Sequence, residues 1–410
     1  MSIIPRIKGM VETDIEVRPW LLFAFALIIS GGMITALLLQ TIGDGLNLSE
    51  VALLNDDVVK LWADIKVAIV LPNAGLSLGL LNLPLSTLES ARLFQGLIAL
   101  LAMGALFELI RIYYDARYGL LAVIVAVMSN VFLATATTLS SVWLSFIVLI
   151  AAILALLRLR RGYWLGYIML PLLAAALVSF GTLGAILAAM TLGAIGYSIY
   201  KHRLQRPSYF TLGGMSVSLI AVIAGYWLLV EATDWRQVLT SFALPGLTAF
   251  IDTLQLHVLG GQNQFGWPLD WPLWNIAYIG LVLLGLSVAI TRRQASRYQL
   301  TLLLSGIYLV SWSLPISDLS LALGVLVSTL LVTAAIRFMI QSWAEMLPRN
   351  RIRHIITAVL MVSLLLVIFN GALTRRFILR RATHSEQAQT TPQTGHRLYQ
   401  QFRQSADDTL

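Results

Sequence analysis

Two adjacent aspartates, Asp56 and Asp57, stand in a polar segment that follows the first long apolar block of the chain. Paired carboxylates can serve as a general base or hold a metal ion, so both residues are candidate catalytic residues. They can equally begin an amphipathic helix, because Asn55 is a suitable N-cap and acidic residues in a first turn complement the helix dipole. Both interpretations stay open at this point, as does a divalent metal ion as cofactor.

A second polar segment carries His257 and, further on, three tryptophans, Trp267, Trp271 and Trp274, with Asp270 among them. Aromatic faces beside an aspartate can stack on sugar rings, which makes His257, Trp267, Asp270 and Trp271 candidate substrate-binding residues. The alternative is that the tryptophans anchor the segment at lipid headgroups, which is their commoner use in membrane proteins.

The elements that position these residues are predicted from the composition. Hydrophobic residues make up 58% of the 410 residues and charged residues only 12%, against roughly 25% in a soluble domain. The apolar residues come in blocks of about 17 to 22, the length that crosses a bilayer as a helix. The sequence predicts an all-α polytopic membrane protein with about eleven transmembrane helices. The predicted spans are 20–40, 94–112, 119–136, 140–157, 164–180, 182–200, 210–230, 272–291, 299–315, 319–340 and 355–373.

The Lys and Arg residues between the spans define a predicted orientation. They concentrate in alternate short loops, and the short loops between them have none. By the positive-inside rule the basic loops and the N-terminus are cytoplasmic. The charge of +8 is therefore a topological signal and does not indicate nucleic-acid binding. The basic loops contain Arg6, Lys8, Arg18, Arg111, Arg117, Arg158, Arg160, Arg161, Lys201, Arg203, Arg206, Arg292, Arg293, Arg297, Arg349, Arg351 and Arg353.

The predicted spans divide the chain into an N-terminal segment (1–19), which the orientation places in the cytoplasm, a transmembrane domain (20–373) and a polar tail (374–410). Two long loops, about 41–93 and 231–271, lie on the outer face and hold the candidate residues named above. The tail is poor in apolar residues, so little stable structure is expected there. An odd number of spans places its basic start outside, which leaves either a basic external tail or one miscounted span.

Few charged residues fall inside the predicted spans. Glu108 and Arg111 are three residues apart, the spacing of a helical ion pair. Arg337 lies near a cytoplasmic span end and can snorkel, and Asp318 stands in an outer turn. The spans contain no chain of carboxylates, which argues against a proton-coupled carrier. The sequence also has no cysteine, so disulfides and thiolate metal sites are excluded.

Three short motifs occur in the first half of the chain. The first motif is the acidic pair Asp56-Asp57 after the first span. The second is the Ala-Arg-Leu motif in 90–93, at the start of the second helix. The third is the basic-aromatic turn 111–119, which ends in Gly119. Together these motifs resemble the GT-C family of membrane glycosyltransferases, in the branch of protein mannosyltransferases and the lipid A aminoarabinose transferase, and the similarity covers roughly residues 20–200.

The resemblance implies a GT-C-like fold in a bacterial cytoplasmic (inner) membrane. It also implies transfer of a sugar from a polyprenyl-phosphate-linked donor to an acceptor hydroxyl at the outer face. Asp56 or Asp57 would take the acceptor proton, and Arg92 or Lys60 would contact the phosphate of the donor. Membrane lipid is the other expected partner, and the sequence contains no convincing nucleotide-binding loop.

The chain departs from the family pattern at two places. Where family members often carry an aspartate after the third span, this chain has 137–141, Thr-Thr-Leu-Ser-Ser, and it lacks their lysine near the fifth span at 178–182. A retained fold with altered or lost activity therefore stays open. The rival functions are a carrier or flippase for a lipid-linked intermediate and a non-catalytic membrane scaffold subunit. The sequence does not indicate an oligomeric state.

Overall fold

The structure, a computed structural model, describes residues 18–41, 87–160, 164–178, 180–201, 246–258, 276–314 and 317–346, with the isolated positions 397, 400 and 401. All regular elements within these ranges are α-helices, which confirms the all-α prediction for this part of the chain. In chain order they are α1 (Pro19–Thr41), α2 (Leu88–Tyr113), α3 (Ala116–Val127), α4 (Asn130–Thr135), α5 (Val142–Arg160), α6 (Trp164–Val178), α7 (Gly181–Lys201), α8 (Leu247–Val258), α9 (Ile276–Thr291), α10 (Ser296–Ser311) and α11 (Asp318–Met346).

Helices occur at each predicted span that falls within the described residues, and the predicted spans 210–230 and 355–373 lie outside them. Four helices, α1, α2, α5 and α11, are long and apolar enough to cross a membrane. Parts of α3, α6, α7 and α9 are apolar but shorter than a bilayer requires. The four long helices define an integral membrane protein, and the total of eleven spans stays a prediction.

Helix α2 has one face of exposed leucines and one face buried in the bundle. Leu93, Leu97 and Leu101 recur every fourth residue on one face of the helix, and about half or more of each side chain is exposed. On the opposite face, Ala91 and Ala99 are buried against neighbouring helices. A continuous exposed leucine stripe is unfavourable in water and favourable in lipid, so this face of α2 fits a position against the acyl chains.

Helix α11 is the centre of the bundle and packs against α3, α5, α9 and α10. Its residues 321–336 are all buried, which agrees with a sequence that is apolar around the whole helix. Small residues allow its neighbours to approach closely. A Cβ atom placed on Gly285 of α9 would lie 2.0 Å from the carbonyl oxygen of Leu331, so α9 and α11 touch backbone to backbone there.

We expect Gly285→Val to separate α9 from α11 and to lower the unfolding free energy by about 1–3 kcal/mol, the usual range for overpacking. Gly280→Val in the same helix is the matched control, because Gly280 has open space around its Cβ position. The measurement is the thermal unfolding midpoint of each purified variant in detergent. Equal midpoints for the two variants would contradict the close α9–α11 contact.

The predicted span 119–136 is wrong as a single helix, because α3 ends at Val127 and α4 begins at Asn130. Ser129 causes the break. Its Oγ donates to the carbonyl of Ala126 at 2.6 Å and accepts from the backbone N–H of Phe132 at 3.1 Å. The serine thus ends one helix and caps the next.

Two further sequence predictions can be compared with the structure. Arg111 and Glu108 form the predicted ion pair, at 2.8 Å on the surface of α2. The second predicted outer loop, 231–271, is not wholly irregular, because it contains α8. The N–H of Gly246 donates to the carbonyl of Ser313 at 2.8 Å, which ties the start of α8 to the end of α10.

Candidate functional site

Three helices begin at one end of the bundle, and hydroxyl side chains cap two of them. Thr87 and Ser90 exchange hydrogen bonds at the start of α2, at 3.2 and 3.3 Å. Ser317 and Ser320 form the same reciprocal pair at the start of α11, at 2.9 and 3.2 Å. Ser141 immediately precedes α5 and lies at the same end. We call this end, defined by Thr87, Ser141 and Ser317, the serine end.

Asp318 joins two of these helix starts. The backbone N–H of Ser141 donates to Oδ2 of Asp318 at 2.9 Å, and the hydroxyl of Ser141 donates to the same oxygen. The carboxyl group therefore lies at the N-terminus of its own helix α11 and at that of α5, where the orphan N–H groups of both helices point. This contact fixes the position of the segment 137–141 relative to the central helix.

Arg92 and Gln95 enter the same region from α2. They are three residues apart and so share one face of the helix, and both are buried, with only 2% of Arg92 exposed. The Nε2 of Gln95 donates to the carbonyl of Ser140 at 2.8 Å. The segment 137–141 is therefore bonded both to α2, through Gln95, and to α11, through Asp318.

The serine end contains several buried polar atoms without a hydrogen-bond partner among the described residues. Such atoms are few in folded proteins, and a group of them at one place indicates a site for a polar ligand or ordered water. They include one donor, two hydroxyls and one acceptor. The atoms are Nε1 of Trp143, Oγ1 of Thr137, Oγ of Ser140 and Oε1 of Gln95.

Aromatic side chains form the apolar part of this region. The indole of Trp143 lies edge-to-face against Phe132 at 5.1 Å and against Phe146 at 5.5 Å, measured between ring centroids. All three side chains are buried. The packing holds the indole in one orientation, so the direction of its free N–H group is fixed.

Among the sequence-predicted site residues, Arg92 lies on α2 three residues before Gln95, and its side chain is buried. Asp56, Asp57, Lys60, Trp267, Asp270 and Trp271 lie outside the described residues. The backbone of His257 lies in the last turn of α8. Within the described ranges no three His, Asp or Glu side chains are grouped as they would be around a metal ion.

Sequence reasoning missed Gln95, Ser141 and the contact of Asp318. The sequence predicts only that Asp318 stands in an outer turn, yet its carboxyl group accepts from Ser141, 177 residues earlier in the chain. Local sequence contains no information on which other helix start lies beside Asp318.

No family model, curated protein or solved structure matches this chain. The fold and the described helices define an α-helical integral membrane protein with a buried polar cluster at one end. The resemblance to GT-C enzymes therefore depends on the short sequence motifs, and what it implies remains a proposal.

Proposed function

We propose that this protein is a membrane glycosyltransferase with a GT-C-like arrangement of about eleven spans. It would move a sugar from a polyprenyl-phosphate carrier to an acceptor hydroxyl at the outer face of a bacterial inner membrane. The observation that carries the proposal is the burial of Arg92 in the first turns of α2, three residues before Gln95 at the serine end. In the predicted topology this end faces outward, on the same side as the loops with Asp56, Asp57 and the tryptophans.

A buried arginine in a membrane helix is costly, and such residues usually mark a ligand site. The guanidinium group binds phosphate through two parallel N–H donors and stays charged at any working pH. Near the predicted outer face, the guanidinium group of Arg92 could bind the donor phosphate that leaves when the sugar is transferred. The role given to Arg92 by the resemblance therefore agrees with its position in the fold.

The unpartnered polar atoms at the serine end suit the sugar of the donor. Hydroxyls, an amide oxygen and an indole N–H can together donate to and accept from sugar hydroxyl groups. Trp143 is buried against Phe132 and Phe146, so its contribution to such a site is the indole N–H group. These atoms come from α2, the segment 137–141 and α5, so a bound sugar would contact three parts of the chain.

Asp318 bears on one of the departures from the family pattern. Related enzymes often carry an acid after the third span, where this chain has 137–141. The carboxyl group of Asp318 reaches Ser141 in that segment. Asp318 thus places a carboxyl group beside the segment 137–141, where related enzymes often carry an aspartate. This supports retention of the transferase activity.

In the proposed reaction, Asp56 or Asp57 takes the proton of the acceptor hydroxyl while the new bond to the anomeric carbon forms. The bond from that carbon to the phosphate oxygen breaks, and Arg92 and Lys60 stabilise the charge on the departing phosphate. His257, Trp267, Asp270 and Trp271 would contact the sugar or the acceptor from the second outer loop. A divalent metal ion stays open as a cofactor.

The proposal predicts that Asp56→Asn/Asp57→Asn abolishes transfer while donor binding is retained, because only the proton acceptor is removed. The measurement uses purified protein in liposomes with the polyprenyl-phosphate-sugar fraction and the acceptor-containing envelope fraction of the native host, and follows release of the sugar-free polyprenyl phosphate. Unchanged release by the double variant would contradict the roles of these aspartates. A loss of both release and donor binding would indicate an altered fold and would also contradict the predicted result.

One observation favours a second candidate, a carrier for a lipid-linked intermediate. The break between α3 and α4 at Ser129 resembles the discontinuous helices that form binding sites in membrane transporters. A carrier would move a labelled polyprenyl-phosphate sugar across liposome membranes in the absence of any acceptor. The absence of such movement, together with transfer of the sugar once an acceptor-containing envelope fraction is added, excludes the carrier and supports the enzyme.

A further inference from the structure

Two arginines meet at the opposite end of the bundle from Arg92. Arg297 lies in the first turn of α10 and Arg337 lies in α11. Both guanidinium groups stand over the ring of Tyr114, with their Cζ atoms 5.7 Å and 5.2 Å from its centroid. Tyr114 belongs to the turn between α2 and α3, so four helices contribute to this point. We call Arg297, Arg337 and their tyrosines the arginine cluster.

Two further rings complete the cluster. Arg337 lies over Tyr118 at 5.4 Å, and Arg297 lies over Tyr298 at 5.2 Å. The tyrosine rings attract the cations through their faces but carry no opposite charge. Burial raises the pKa of Tyr114 to about 12, so its hydroxyl is neutral at physiological pH. The aromatic contacts therefore position two positive charges without neutralising them.

The guanidinium groups retain unused hydrogen-bond donors. Nε and Nη1 of Arg337 and Nε of Arg297 are buried and have no hydrogen-bond partner among the described residues. Of the nearby acids, Glu108 of α2 pairs with Arg111 at 2.8 Å, and Asp115 of the α2–α3 turn accepts from the N–H of Ala116. Neither arginine forms an ion pair with a carboxylate in the described part of the chain.

This arrangement is unfavourable without an anion. Two like charges share one ring, and buried N–H donors on charged groups are costly when unsatisfied. Two nitrogens of Arg337 are buried, while the side chain as a whole is half-buried, so the prediction that it snorkels stays a prediction. An anion with several acceptor oxygens would satisfy both guanidinium groups at once.

The location of the arginine cluster in the fold indicates which class of anion it would bind. Arg297 follows the basic loop of Arg292 and Arg293, on the side that the sequence predicts to be cytoplasmic. Exposed leucines on α10, such as Leu303 and Leu309, indicate that this helix faces lipid. Basic pockets between membrane helices on this side bind the headgroups of anionic lipids. Phosphate diesters of the lipid surface are thus within reach of the cluster.

We propose that Arg297 and Arg337 form a binding site for the phosphate group of an anionic phospholipid, held between α10 and α11. The tyrosine rings position the guanidinium groups, and their unpartnered N–H groups would donate to the phosphate oxygens. The site is separate from the serine end and independent of the proposed transferase activity. A bound lipid would stabilise the contact between α10, α11 and the α2–α3 turn.

The test is native mass spectrometry of the purified full-length protein with dioleoylphosphatidylglycerol, with dioleoylphosphatidylcholine, or with inorganic phosphate alone. We expect the wild type to retain phosphatidylglycerol in preference to phosphatidylcholine, and Arg297→Gln/Arg337→Gln to retain it at least about tenfold more weakly. Arg293→Gln is the matched control, because Arg293 lies in the same loop and is exposed. The control should bind phosphatidylglycerol as the wild type does.

Three results would overturn the proposal. The first is equal retention of phosphatidylglycerol by the double variant, and the second is equal retention of both lipids by the wild type. The third is saturation by inorganic phosphate with no added binding of lipid, which would assign the cluster to a soluble phosphate compound. If the glutamine variant does not fold, Arg297→Lys/Arg337→Lys keeps the charges and loses the paired donors, and weaker lipid binding is again expected.

Discussion

Arg92→Gln is expected to lower sugar transfer by about 100-fold or more, the effect of removing one electrostatic contact to developing charge in an enclosed site. The guanidinium group is buried beside Gln95, and glutamine retains a polar side chain of similar length without its charge. The leaving phosphate would lose its cation while most of the packing is kept. Release of polyprenyl phosphate by purified protein in liposomes measures the effect.

Arg111→Gln is the matched control for this prediction, because Arg111 lies in the same helix. Arg111 is exposed, and its ion pair with Glu108 is on the surface, where such pairs contribute little. Transfer by Arg111→Gln should stay close to that of the wild type. If both variants lose transfer equally, or if neither does, Arg92 has no specific role in holding phosphate.

Asp318→Ala is expected to lower the unfolding free energy by about 1–3 kcal/mol for each donor left without a partner. The substitution removes the oxygen that accepts from the backbone N–H and the hydroxyl of Ser141. The starts of α5 and α11 would then lose their connection, and the segment 137–141 would lose its support beside Gln95. Thermal unfolding of the purified variant in detergent provides the measurement.

A double-mutant cycle separates this contact from other effects of removing Asp318. Ser141→Ala removes the hydroxyl, and the coupling between the two substitutions should reach at least about 0.5 kcal/mol. Glu108→Gln, which removes an exposed carboxylate, should cost no more than about 1 kcal/mol. Strictly additive effects of Asp318→Ala and Ser141→Ala would show that the hydrogen bond does not stabilise the bundle.

Much of the helical architecture follows from the order of apolar and polar residues. A run such as 319–340 is apolar around the whole helix, so its central position in the bundle follows from its composition. The ion pair of Glu108 and Arg111 follows from helical spacing alone. A short motif makes Arg92 a candidate site residue, and the structure shows that its side chain is buried in α2.

The remaining features depend on contacts between distant segments or on single side chains. The hydrogen bond from Ser141 to Asp318 joins residues 177 positions apart, and local sequence does not determine which helix starts are neighbours. Ser129 breaks an apolar run that hydropathy reads as one span, because its hydroxyl competes for backbone groups. Arg337 stacks on Tyr114 because the α2–α3 turn lies beside α11, which a sequence pattern does not reveal.

The central claim is that the protein transfers a sugar to an acceptor at the outer membrane face. Its most direct test is the glycan and glycolipid profile of the native host after deletion of the gene, complemented with wild type or with Asp56→Asn/Asp57→Asn. We predict that one sugar modification disappears on deletion and that the wild type alone restores it. An unchanged profile after deletion, or full restoration by the double variant, would contradict the transferase assignment.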